Sequence, residues 1–134
     1  MSVRHWKAMD WEGRLREVFD RIDADLEAEF GGRYPLHPNR PPNGTTGSRE
    51  HDGLFDIGAV FTPGFGSRLG RGYVVEVRMA TLSNVPPEVV EQIERRVVER
   101  LRAMLPDAFP GRDLRVERDG RRYKIVGDLS LGNA

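Results

Sequence analysis

The chain has 134 residues, with 21 acidic and 21 basic side chains in balance and no cysteine. That length suits one domain with a hydrophobic core of its own. The missing cysteine excludes a disulfide framework, thiolate catalysis and cysteine-ligated zinc, and a formal net charge of zero argues against broad electrostatic binding to nucleic acid or anionic membrane.

The first residues, Met1 to Lys7, lack the apolar run of a signal peptide. No segment approaches the roughly 20 apolar residues that a membrane span needs. A soluble, cytoplasmic protein is expected, with no membrane partner. Lys7 and Lys124 are the only lysines, and the other basic residues are arginines, a bias that fits the codon usage of a GC-rich bacterial genome.

The first predicted element is a helix over residues 10–30. Trp11, Leu15, Val18, Ile22, Leu26 and Phe30 recur at helical spacing, and Phe19 widens the stripe. Asp10 suits the N-cap, and Gly31-Gly32 ends the helix. The acids Asp20, Asp23 and Glu27 read as a solvated face. Residues 31–53 then form a long connection. Pro35, Pro38, Pro41 and Pro42 bar regular structure from its first half, and Asn43-Gly44 signals a turn. Connections of this length are uncommon unless functional or disordered.

A hairpin follows over residues 54–81. Phe55, Ile57, Ala59 and Phe61 alternate with outward positions. So do Tyr73, Val75, Val77 and Met79 beyond the glycine-rich connection. The aromatic members of both sets are expected in the core. A second helix is expected over residues 84–105, capped by Ser83 or Asn84, with Pro86-Pro87 in its first turn and Pro106 as its stop. Val90, Ile93, Val97, Leu101 and Met104 make its buried stripe, and Glu91 and Arg95 are spaced as an i,i+4 ion pair. The last hairpin spans 113–127. Asp119-Gly120 reads as a type I′ tip, which would set Val116 opposite Tyr123 and Glu117 opposite Arg122.

These elements predict an α+β, two-layer sandwich of order α-β-β-α-β-β, with two helices on one face of a four-stranded, mainly antiparallel sheet. Phe30-Gly31-Gly32-Arg33 and Phe109-Pro110-Gly111-Arg112 end the two helices alike. Two related α-β-β halves would produce this, and so would a recurring helix-exit device. The outer face of the sheet is polar on the second hairpin (Arg115, Glu117, Arg122, Lys124) and less so on the first (Val60, Val74, Ala80). A half-apolar outer face or a free edge offers a surface for a second copy.

Three sets of residues could carry chemistry. The connection Pro63 to Tyr73 holds Gly64, Gly66, Gly70 and Gly72 with Ser67, Arg68 and Arg71. It matches neither a P-loop nor a dinucleotide fingerprint, because the chain returns as a strand and no helix N-terminus receives a phosphate. No cofactor is expected. What remains is a loop whose amides and arginines would bind a small anion, joined by Arg40 and Arg49 from the long connection, or else a plain twisted connection. His37, His51 and Asp52 are the candidates for acid–base work, but their spacing matches no metal motif, and no metal is expected. Three functions follow: a binding module for a small anionic or phosphorylated ligand, a self-associating structural protein, and an enzyme built on the loop histidines. The fold alone does not choose between them.

Overall fold

Six elements form in the expected order: α1 (Val3–Phe30), β1 (Phe55–Thr62), β2 (Gly72–Met79), α2 (Pro87–Ala108), β3 (Leu114–Asp119) and β4 (Arg122–Gly127). The structure is a computed structural model that describes residues 3–42 and 53–129. The strands make one antiparallel sheet in the order β1-β2-β4-β3. α1 packs on β1, α2 packs on β3, and the helices touch each other, which gives the two-layer α+β sandwich. Exchanging the first α-β-β unit with the second leaves this order unchanged. Among the described residues, no helix is long and apolar enough to cross a membrane.

Both apolar stripes turn inward. Ile22, Leu26 and Phe30 of α1 meet Ile93, Val97, Leu101 and Leu105 of α2 over Phe55 and Ile57 of β1 and Ile125 of β4, all buried. Burial of such side chains stabilises the fold by about 25 cal/mol per Å2 of apolar surface. Around this core, Arg102 donates from Nη2 to the Val116 carbonyl at 2.7 Å and ties α2 to β3. Arg96 reaches Glu29 at 3.1 Å and Arg100 reaches Asp25 at 3.3 Å, both across the helix pair. These last pairs are solvent-exposed and add little.

Several boundaries differ from the sequence expectation. α1 begins at Val3 rather than Asp10. The residues before Asp10 contain no proline or glycine, so a good capping residue does not force the helix to start there. α2 starts at Pro87 with Pro86 in the cap position, and neither Ser83 nor Asn84 caps it. It also runs through Pro106 to Ala108. In the last turn a proline withholds a single hydrogen bond, and that loss is outweighed by Phe109. The Phe109 N–H closes the helix on the Leu105 carbonyl at 2.8 Å, and its ring is buried 4.3 Å from that of Trp11. Two acids read as solvated are not: Asp23 is buried, and Glu27 accepts the Phe55 N–H at 3.0 Å.

The last hairpin closes one residue later than expected. Asp119 pairs with Arg122, so the two-residue tip is Gly120-Arg121. Gly120 has φ 67° while Arg121 beside it has a negative φ, which is the pattern of a type II′ turn; among the described residues only glycines have positive φ. Inward and outward faces are preserved, but partners change: Val116 meets Ile125, Arg118 meets Tyr123, and Glu117 meets Lys124 in place of Arg122. The centre of the sheet is its thinnest seam, since β2 and β4 pair only at Tyr73–Ile125 and Val74–Lys124.

Candidate functional site

The glycine-rich connection between β1 and β2 is folded onto itself. Gly64, Gly66 and Gly70 have φ of 76°, 79° and 74°, a region that side chains disfavour. A Cβ on Gly64 would strike the Gly70 carbonyl. Four of the loop amides are spent locally. Gly64 N–H donates to Thr62 Oγ1 at 3.2 Å, Ser67 N–H to the Gly64 carbonyl at 2.9 Å, Leu69 N–H to Ser67 Oγ at 3.2 Å, and Gly70 N–H to the Ser67 carbonyl at 3.2 Å.

Lys124 holds this loop down. Its side chain is 3% exposed, although strand alternation puts it on the outer sheet face, because the loop covers it. The stem crosses Gly72, where a Cβ would stand 2.7 Å from Lys124 Cγ and Cδ. Nζ then meets Asp119 Oδ2 at 2.7 Å, Ser67 Oγ at 3.1 Å and the Gly70 carbonyl at 2.8 Å. Three ammonium hydrogens have three acceptors. Ser67 Oγ donates to the same Asp119 oxygen at 2.6 Å. The hydrogen bond from Lys124, then that from Ser67, with the charges of Lys124 and Arg68 adding, holds the Asp119 carboxyl below its ordinary range. A serine beside a lysine suggests a nucleophile and its base. Here both are engaged with one carboxylate, and the cluster works as a latch.

The long connection contributes to a different place. Arg40 donates from Nε to the Gly53 carbonyl at 2.9 Å and from Nη2 to the Phe55 carbonyl at 3.0 Å. His37 N–H donates to the Ala80 carbonyl at 2.7 Å, and His37 Nδ1 accepts the Asn39 N–H at 3.1 Å. Both residues therefore fasten the chain where β1 begins and β2 ends. The glycine loop lies at the other end of that hairpin, about 23 Å away for seven strand steps of ~3.3 Å. Arg40 is not brought to Arg68 and Arg71, whose side chains are exposed. Arg49, His51 and Asp52 lie outside the described residues. Among the described residues, no three histidines or carboxylates cluster in a way able to hold a metal ion.

A polar groove of about 420 Å3 lies between α2 and the tip of the β3–β4 hairpin. Glu91, Glu94 and Arg95 line it from the helix, and Arg118, Arg121 and Tyr123 from the hairpin. The shifted turn creates it: Arg121 sits in the tip, and Arg118 stands beside Tyr123 at the inner-face position where the core gives way to solvent. Arg118 is fixed there. Its Cζ lies 5.4 Å from the Tyr123 ring centroid, and Nε donates to the Gly120 carbonyl at 3.0 Å. The expected Glu91–Arg95 ion pair is not made. Among the described residues, no carboxylate lies within ion-pair distance of Arg95, Arg118 or Arg121.

The sequence singles out Ser67, Arg68 and the glycines as one loop, but it signals neither the tie of that loop to Lys124 and Asp119 nor the arginine groove. A lone lysine within an arginine-rich strand pair was the available signal for Lys124. Nothing local marks the groove, whose arginines come from separate elements.

A protein of Borreliella burgdorferi described as an uncharacterized protein is 40% identical over 121 residues, covering 90% of this chain and 94% of the relative. No solved structure gives a significant match. A family model described as an uncharacterised protein matches residues 6–127, and the chain belongs to that family.

Proposed function

We propose that the chain is a binding domain for a small anionic ligand bearing phosphate or carboxylate groups, and that Arg95, Arg118 and Arg121 hold it. The observation that carries this reading is the set of three guanidinium groups around one groove with no ion-pair partner among the described residues. Guanidinium forks match the oxygen geometry of phosphate and carboxylate. Arg118, already stacked and hydrogen-bonded, loses little freedom on binding, which favours affinity. Glu91 and Glu94 on the same rim suit a ligand that also carries a hydrogen-bond donor or cationic group.

A second site for the same ligand class is the glycine loop, favoured by the exposure of Arg68 and Arg71 on a backbone that the latch holds rigid. Its committed amides leave fewer donors for an anion. We propose no reaction: His37 serves a backbone turn, and Ser67 and Lys124 are engaged with Asp119.

Calorimetric titration with inorganic pyrophosphate separates these sites. Saturable binding that Arg118→Ala weakens about tenfold or more, while Arg68→Ala leaves it unchanged, is the expected result. Equal binding by the wild type and the Arg118→Ala variant would remove the groove. Loss confined to Arg68→Ala and Arg71→Ala would move the site to the loop.

A further inference from the structure

The arginine groove has two walls of different charge. The hairpin wall carries Arg118 and Arg121 and no acid, whereas the helix wall carries Glu91 and Glu94 with only Arg95 to offset them. Glu91 and Arg95 stand four residues apart on α2, in the order that favours an ion pair. Yet among the described residues neither glutamate has an ion-pair partner, on its own helix or across the groove.

The same helix behaves otherwise one turn further on. Arg96 closes on Glu29 at 3.1 Å and on Glu99 at 3.4 Å, and Arg100 closes on Asp25 at 3.3 Å. Where α2 meets α1, its charges are matched. Where it faces the last hairpin, acids and bases stay open around about 420 Å3 of space.

We propose that the groove takes a small zwitterion: a primary ammonium joined by a short carbon chain to a phosphate or carboxylate. The inference rests on the anion reading above and specifies the other half of the ligand. The oxygens go to Arg118 and Arg121 on the hairpin, and the ammonium goes to Glu91 and Glu94 on the helix. Residues three apart on a helix have Cβ atoms about 5–6 Å from each other, so both carboxylates can accept from one nitrogen. A primary ammonium brings three donors for them, whereas a quaternary one brings charge and no donor. The helix dipole does not oppose a cation there. Its positive end fades within the first turn, and Glu91 is the fifth residue of α2. A bare anion binds through the arginines alone and meets two like charges on the facing wall, so Glu91 and Glu94 discriminate as well as attract.

Calorimetric titration of the full chain at neutral pH with O-phosphoethanolamine, ethyl phosphate and phosphocholine tests this, since the three probes share the phosphate and differ in the nitrogen. Phosphoethanolamine should bind at least about tenfold more tightly than ethyl phosphate, the scale of one charge-assisted hydrogen bond, and phosphocholine should fall short of it. The double variant Glu91→Gln with Glu94→Gln keeps good helix formers and should erase that advantage. Glu88→Gln, in the first turn and outside the groove lining, should leave it intact. Equal binding of phosphoethanolamine and ethyl phosphate by the wild type would overturn the proposal. So would an advantage that survives the double substitution, or one that phosphocholine shares in full. The anion reading outlives each of these results if Arg118→Ala still abolishes or weakens ethyl phosphate binding. If neither phosphoethanolamine, ethyl phosphate nor pyrophosphate binds, both readings fall together.

Discussion

Lys124 shows how one buried charge is made tolerable. Each ammonium hydrogen has an acceptor, and the counter-ion Asp119 accepts from Ser67 as well. Removing one partner leaves the others without compensation, so Lys124→Met and Ser67→Ala should both lower the midpoint of urea unfolding, Lys124→Met by more. The pH dependence has a definite sign. Asp119 is held below its ordinary carboxyl value when folded, so its contribution is complete above that ordinary value of about 4 and fades as pH falls through the lower folded value. The stability gap between wild type and Asp119→Asn, followed by urea titration, should be widest near neutrality and close in acid. A gap that widened below pH 4 would contradict the latch. At the hairpin tip, Gly120→Ala should cost about 1–2 kcal/mol, because its φ of 67° puts a Cβ against the following carbonyl.

The apolar spacing of the helices and strands was readable in advance. Leu15, Ile22 and Leu26 on α1, and Ile93, Val97 and Leu101 on α2, are buried as their spacing requires. What escaped the sequence was decided by tertiary contact. Pro106 looked like a stop, but Phe109 beyond it is anchored on Trp11 and draws the last turn along. Asp119-Gly120 and Gly120-Arg121 both supply a glycine for a tight turn, and the second wins while freeing Asp119 to reach Lys124. Phe61 keeps the inward parity of its strand yet is half exposed, because it lies near the end of β1. Two element-scale variants follow. Ile93→Ala should destabilise the fold by about 2–5 kcal/mol through a cavity at a fully buried position. Pro106→Ala should stabilise it, by less than the roughly 3 kcal/mol of a mid-helix proline, since only the last turn gains.

At the scale of the whole molecule, the sheet order separates the sites that the sequence had combined. Arg40 and His37 secure one end of the first hairpin, the glycine loop and its latch occupy the other, and the arginine groove stands across the sheet beside α2. The loop was visible as a run of glycine and arginine. The groove was not, because Arg95 and Arg118 become neighbours only when α2 packs on the last hairpin.

The most direct test of the groove is a titration of the 15N-labelled full chain with inorganic pyrophosphate, read amide by amide. The account predicts saturable shifts concentrated at Arg95, Arg118, Gly120 and Arg121, with the Ser67–Gly70 amides unmoved. Shifts centred on Gly66 to Arg71, or none anywhere at millimolar pyrophosphate, would contradict it.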